Sequence, residues 1–292
     1  MSLTDEQVLN LNKKANAIRI SIIEMLAEAK SGHTAGPLGM ADIFSALYFH
    51  VMNHDPKNPA WQKRDRLVLS NGHICPVLYA SMAHAGYFPI EDLMTLRKFG
   101  SKLQGHPHRD FLPALETSSG PLGSGLSQAV GMAIADKIDY GHISPRYIYA
   151  LLSDGEHDEG QIWEAGMMAS KEKLGNLIAI IDRNNIQIDG YTESVMPLAP
   201  LYDKWKSFGW HVQEIDGHDM RAIVGAIRKA QAIFDRPSMI IAYTIPGKGV
   251  SYMERRFEWH GTPPGISEVA GAPAKGEQVA QALAELKSNI YA

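Results

Sequence analysis

Ser153-Asp154-Gly155-Glu156-His157-Asp158-Glu159-Gly160 and, one helix later, Asn184-Asn185-Ile186 are the stretches whose reading decides the fold. The apolar run from Tyr147 to Leu152 leads into Asp154, and a second, Leu177 to Ile181, leads into Asn184. A helical pattern from about Glu159 to Lys173 lies between them. The unit is strand–turn–helix–strand, and two adjacent parallel strands bring Asp154 and Asn184 to one edge of a sheet. A hard divalent cation takes oxygen ligands: a carboxylate, an amide oxygen, a backbone carbonyl, the oxygens of a phosphate. Asp154, Asn184 and the carbonyl of Ile186 supply three and leave room for a diphosphate. An Asp-Gly turn or an Asn-Asn loop alone is commonplace; the spacing and the flanking strands together carry the signal.

Working outward, Thr4-Asp5-Glu6-Gln7 reads as a capping box for a helix reaching about Lys30, where Gly32 can stop it. A second helix is expected over about Met40–Met52, a strand over Arg66–Ser70 and a helix over Ile74–His84. A shorter helix is expected near Glu91–Phe99. Gly100 to Gly120 has no periodicity, and so long a loop in a compact domain is usually functional or disordered. Helices are then expected over Leu122–Tyr140, Leu201–Phe208 and Met220–Phe234, and strands over Trp210–Ile215 and Ser238–Thr244. The alternation predicts an α/β fold, a doubly wound parallel sheet with helices on both faces. Asn71–His73, Asp154–Gly155, Asn184–Ile186 and Thr244–Gly249 would share the carboxyl edge, where such sheets bind ligands. The tail beyond Gly265 reads as a peripheral helix from about Gly276 to Ile290, completing a single domain over residues 1–292.

The Asp-Gly and Asn-Asn pair resembles the thiamine-diphosphate motif, Gly-Asp-Gly … Asn-Asn. The rest of the chain narrows the resemblance to the transketolase family, over about Asn16 to Pro264. Ser153 stands where the family has the first glycine. Four histidines match the family pattern: His33, His73, His106 and His260. The resemblance implies that His73 and His260 contact the cofactor diphosphate, and that His33, His106 and His260 line the channel and hydrogen-bond a ketose. Imidazole suits this because it titrates near neutrality and can both donate and accept. The loop Gly32-His33-Thr34-Ala35-Gly36-Pro37-Leu38-Gly39 departs from the family's Gly-His-Pro-Gly-Ala-Pro-Leu-Gly. In Gly120-Pro121-Leu122-Gly123 the resemblance implies backbone contacts from Gly120 and Leu122 to the aminopyrimidine. It places Asp154, Gly155 and Asn184 at the cofactor, and Asp154, Asn184 and Ile186 on Mg²⁺ or Ca²⁺. Glu159 falls at a subunit contact, although a solvated helix start explains an acid there equally well. Gly247-Lys248-Gly249 fits a phosphate contact or a solvated turn.

Hydrophobic content of 45% and charged content of 21% describe a chain able to bury a sizeable core. The net charge of −4 gives no reason to expect nucleic-acid binding. One cysteine, Cys75, excludes an internal disulfide and reads as a buried, inert thiol. With no apolar run near the roughly 20 residues a bilayer demands and no signal peptide, a cytoplasmic protein is expected. Full-length transketolases carry a pyrimidine-binding domain after this one, with the activating glutamate and the arginines for the sugar phosphate. Ala292 leaves no length for such a domain, roughly 100 to 200 residues. The resemblance therefore implies the N-terminal subunit of a split transketolase, inactive until joined by a separate C-terminal subunit, most simply in a heterotetramer. Such an enzyme passes a two-carbon ketol unit between sugar phosphates of the pentose phosphate pathway. The alternatives are a split relative acting on a sulfonated or branched sugar, a 1-deoxyxylulose-5-phosphate synthase, the α subunit of a 2-oxoacid dehydrogenase, and a non-catalytic paralogue.

Overall fold

The computed structural model describes residues 3–141 and 144–288. Helix α1 (Asp5–Ala29) starts at a capping box, in which the Thr4 side chain accepts from Gln7 N and the Gln7 side chain accepts from Thr4 N. Helix α2 (Ala35–Ala46) continues as a π-helical turn over Leu47–Val51. It begins earlier than the expected Met40, because Pro37 sits in its first turn, where a missing N–H costs nothing. Strand β1 (Arg66–Leu69) leads through a 3₁₀ turn into α3 (Cys75–Ala85). The expected helix near Glu91–Phe99 is a 3₁₀ segment, Ile90–Thr95, entered from Pro89, and Phe99 is fully exposed.

After the long loop come α4 (Ser124–Tyr140), β2 (Ile148–Ser153), a 3₁₀ turn over Gly155–Asp158, α5 (Gly160–Lys171) and β3 (Leu177–Arg183). A small hairpin, β4 (Ile186–Gln187) and β5 (Gly190–Tyr191), precedes α6 (Thr192–Val195) and α7 (Leu201–Ser207). Then follow β6 (His211–Asp216), α8 (Met220–Gln231), β7 (Ser238–Tyr243) and α9 (Lys275–Ser288). The expected last two residues of the terminal helix lie outside the described residues.

Five strands form one parallel sheet in the order β1-β2-β3-β7-β6. The register sets Ser153 beside Asp182, so Asp154 and Asn184 emerge from neighbouring strand tips. Side chains alternate between two cores, as a period of two demands. Ile148, Ala150 and Leu152 of β2 pack with Leu126, Ile162 and Trp205 from α4, α5 and α7. Tyr149 and Leu151 face the other way, among Ile18, Phe44 and Ile227 from α1, α2 and α8. With both faces covered, the central strands are open to a ligand at their ends. Helix α9 lies against α1 with Ala282 and Leu286 buried, and Asn16 Nδ2 donates to Leu286 O at 2.8 Å.

Candidate active site

A cavity of about 410 Å³ opens at the carboxyl edge of the sheet. The four histidines that stood out in the sequence, His33, His73, His106 and His260, line it. Asp154, Gly155, Asn184 and Ile186 line it too, and Gly120 and Leu122 come from the long loop. Segments far apart in sequence meet here: His73, Asp154 and Asn184 follow strand tips, and His106 and Gly120 come from the long loop. Glu159 and Lys248 lie outside this lining. Glu159 is exposed at the N-cap of α5.

Three imidazoles pack together, with ring centroids 5.0 Å apart for His33–His73, 5.1 Å for His73–His260 and 5.3 Å for His33–His260. Burial drives the His33 pKa down to about 4, helped by repulsion from His260, Arg97 and His106. Burial holds His73 well below the ordinary value, and His260 is lowered the same way. His106 is lowered by burial and by Arg97. At neutral pH the cluster is uncharged, so each ring offers one donor and one acceptor. Nδ1 of His33 and of His260 are buried with no partner among the described residues. Asn71, at the tip of β1, is fully buried, and neither its Oδ1 nor its Nδ2 is paired among the described residues. Buried polar atoms seldom stay single in a finished protein; several near one cavity mark a surface completed by a ligand.

Asp154 is 1% exposed. Its Oδ1 accepts from Gly155 N at 2.8 Å, and its Oδ2 accepts from Asn185 N at 2.7 Å and from Arg183 Nη1 at 3.3 Å. Burial still outweighs these contacts and lifts the carboxyl to about 6. Asn184 Oδ1 accepts from Ile186 N at 3.0 Å, and its Nδ2 donates to Asp182 Oδ2 at 2.7 Å. Asp182, also bonded by Thr244 Oγ1, is pushed up to about 7 by burial and by the neighbouring Asp154 charge. No cluster of three His, Cys, Asp or Glu able to hold a metal occurs among the described residues. A cation here would therefore rest on one carboxylate and neutral oxygens, with the remaining positions taken by its ligand, the manner in which Mg²⁺ is usually held. The donor set fits a metal-bound diphosphate: a buried acid short of positive charge, an amide oxygen, and unpaired imidazole nitrogens lining the same cavity.

Three contributors were not singled out from the sequence. Arg183 joins Asp154 to Glu193, fastening α6 to the site. Asp182 fixes the Asn184 amide; a charged residue closing an otherwise apolar strand was the available signal. Glu156 is fully buried, and its carboxylate accepts from Gly123 N at 2.6 Å, Ser153 N at 3.0 Å and the Ser70 hydroxyl. Cys75 is buried, donates to Gly105 O at 3.2 Å and is pushed up to about 12 by burial, which leaves it an inert thiol.

A parallel α/β sheet with an acid and an amide on neighbouring tips, sharing a cavity with neutral imidazoles, defines a cofactor-binding enzyme domain. The family described as "Transketolase, thiamine diphosphate binding domain" matches residues 11–284. The chain belongs to the transketolase family. It is 48% identical, over 87% of its length and 92% of the relative's, to the 6-deoxy-6-sulfo-D-fructose transketolase subunit SqwG of a Clostridium strain. It is 40% identical to one of the named subunits of the apulose-4-phosphate transketolase of Phocaeicola vulgatus, covering 97% of this chain and 96% of that one. Among solved structures, transketolase from Leishmania mexicana superposes with a TM-score of 0.86 at 34% identity, over 95% of this chain. The chain spans 41% of that protein and 43% of Escherichia coli transketolase 1, but nearly all of the two named subunits. No helix among the described residues is long and apolar enough to cross a membrane.

Proposed function

We propose that this chain is the diphosphate-binding subunit of a two-polypeptide transketolase, moving a two-carbon ketol unit from a ketose phosphate to an aldose phosphate. The observation that carries the reading is the convergence of Asp154, Asn184 and Ile186 with four neutral histidines on one cavity. Thiamine diphosphate, when bound, supplies the electron sink that lets a ketose C2–C3 bond break. The residues of this chain do the rest of what it contributes. Asp154, Asn184 Oδ1 and the Ile186 carbonyl hold Mg²⁺ or Ca²⁺, and Gly155 leaves space beside the diphosphate. A Cβ at Gly155 would come within 3.2 Å of the Gln187 side chain.

His73 and His260 donate to the diphosphate. His33, His106 and His260 bond the ketose hydroxyls and carry protons between them, a role open to rings that burial holds below the ordinary imidazole value. Gly120 and Leu122 present main chain to the aminopyrimidine. Glu159, exposed on the surface, meets a neighbouring protomer.

The partner is a separate pyrimidine-binding subunit, and the simplest assembly is a heterotetramer. The names of the relatives as subunits support a divided enzyme. A cytoplasmic place in pentose phosphate metabolism completes the proposal. The test is to mix the purified chain with its C-terminal counterpart and follow ketol transfer, with 6-deoxy-6-sulfo-D-fructose and apulose 4-phosphate among the donors. Activity appears only in the mixture. Full activity from this chain by itself would refute the divided enzyme.

A further inference from the structure

Glu156 is 0% exposed and bonds no cationic side chain among the described residues, yet three donors converge on it. They come from three places: Ser70 at the end of β1, Gly123 at the N-cap of α4, and Ser153 at the end of β2. Ser70 Oγ in turn accepts from Gly125 N at 3.1 Å, so two N–H groups at the start of α4 are gathered onto one carboxylate, one directly and one through a hydroxyl. Those N–H groups lack intrahelical partners, and a helix of 17 residues presents partial positive charge at that end. The packing is as specific as the bonding. A Cβ on Gly125 would collide with Ser70 Cβ, and one on Gly123, which has φ +83°, would meet Gln161 and Glu159. Gln161 Nε2 donates to Leu122 O at 2.8 Å, closing the loop from its other side.

We propose that Glu156 is a positioning residue that locks the Gly120–Gly123 loop to the Asp154–Gly155 turn. The ring-facing and diphosphate-facing walls of the cavity are thereby held at one fixed separation. The inference rests on the reading of the cavity as a thiamine-diphosphate site. Its consequence is geometric. Asp154 is two residues before Glu156 on one side, and Leu122 is one residue before Gly123 on the other, so a single carboxylate spans both halves of the ligand. Gln in its place keeps the volume but turns one acceptor oxygen into a donor, so it cannot serve both the Gly123 N–H and Ser70 hydroxyl, which share Oε1, and the Ser153 N–H on Oε2.

The experiment is calorimetric titration of thiamine diphosphate with Mg²⁺ into the assembled enzyme, for wild type, Glu156→Gln, Ser70→Ala and the double variant. Melting temperatures and sugar KM are measured on the same samples. Positioning predicts at least a tenfold rise in cofactor Kd for Glu156→Gln and a smaller rise for Ser70→Ala. It also predicts a double variant less than additive and an unchanged sugar KM. A merely structural role lowers the melting temperature and leaves the Kd of folded protein within twofold, which overturns the inference. Should Glu156→Gln not fold, an unchanged Kd in Ser70→Ala overturns it equally. If wild type binds no cofactor, the reading of the cavity fails instead, a different result from equal binding by all four proteins.

Discussion

Two buried aspartates, Asp154 in the cavity wall and Asp42 outside it, have opposite electrostatics. Asp42, in α2, is buried, and burial alone would raise its carboxyl; Arg19 and His218 outweigh that and hold it below the ordinary 3.8. Arg19 bonds both carboxylate oxygens, and His218 Nδ1 donates to Oδ2 at 2.7 Å while its Nε2 accepts from Ile245 N at 2.7 Å. Every charge is answered inside the chain, and the network pins the segment after β7. Asp154 is as deeply buried, but Arg183 touches it at 3.3 Å and is shared with Glu193, and the carboxyl rises to about 6. One aspartate is finished; the other lacks positive charge that an outside cation would bring. Burial is common to both, so burial does not separate a structural acid from a binding one. The supply of countercharge does.

Substitutions sharpen that contrast. Asp154→Ala should weaken Mg²⁺-dependent thiamine diphosphate binding by more than the roughly 100-fold lost with an outer partner, with little loss of folding stability; titration calorimetry and urea unfolding read both. Asp42→Ala should do the reverse. Arg19 is left buried and uncompensated at a cost of about 3–5 kcal/mol, while cofactor affinity of the folded protein stays within a few-fold. Asp182→Ala frees the Asn184 amide and should cost about 10- to 100-fold in cation-dependent affinity, the range for lost outer partners. The smallest effect is in pH. Proton and cation compete for Asp154, so cation affinity should fall about tenfold per unit below about pH 6 and level off above it. Asp42, whose folded value is depressed, contributes stability that persists over that interval and is lost only as pH falls below about 3.8. An affinity flat from pH 5 to 8 would break the contrast.

The sheet and the Asp154–Asn184 pairing were legible because they are written locally: two apolar runs, a helix period, and polar residues at the run ends. The register then follows from which residues the pleat sends to each core. The histidine cluster was not legible in that way. His33, His73 and His260 are brought within about 5 Å by a helix start, a strand tip and a late turn, and their common fate came through the family resemblance. Glu156 stands inside the decisive stretch, yet nothing local marks it out. Its role depends on Gly123 N and Ser70 Oγ, partners that sequence pattern cannot assign. The start of α2 was hidden because Gly36-Pro37 reads as a loop until a helix is seen to open just before it.

The most direct test is crystallographic: the assembled enzyme grown with thiamine diphosphate and Mn²⁺, with data collected for manganese anomalous scattering. The account predicts one peak bounded by Asp154, Asn184 Oδ1 and the Ile186 carbonyl, with diphosphate density against it. A peak elsewhere, or none there while Asp154 stays on Arg183, would contradict it.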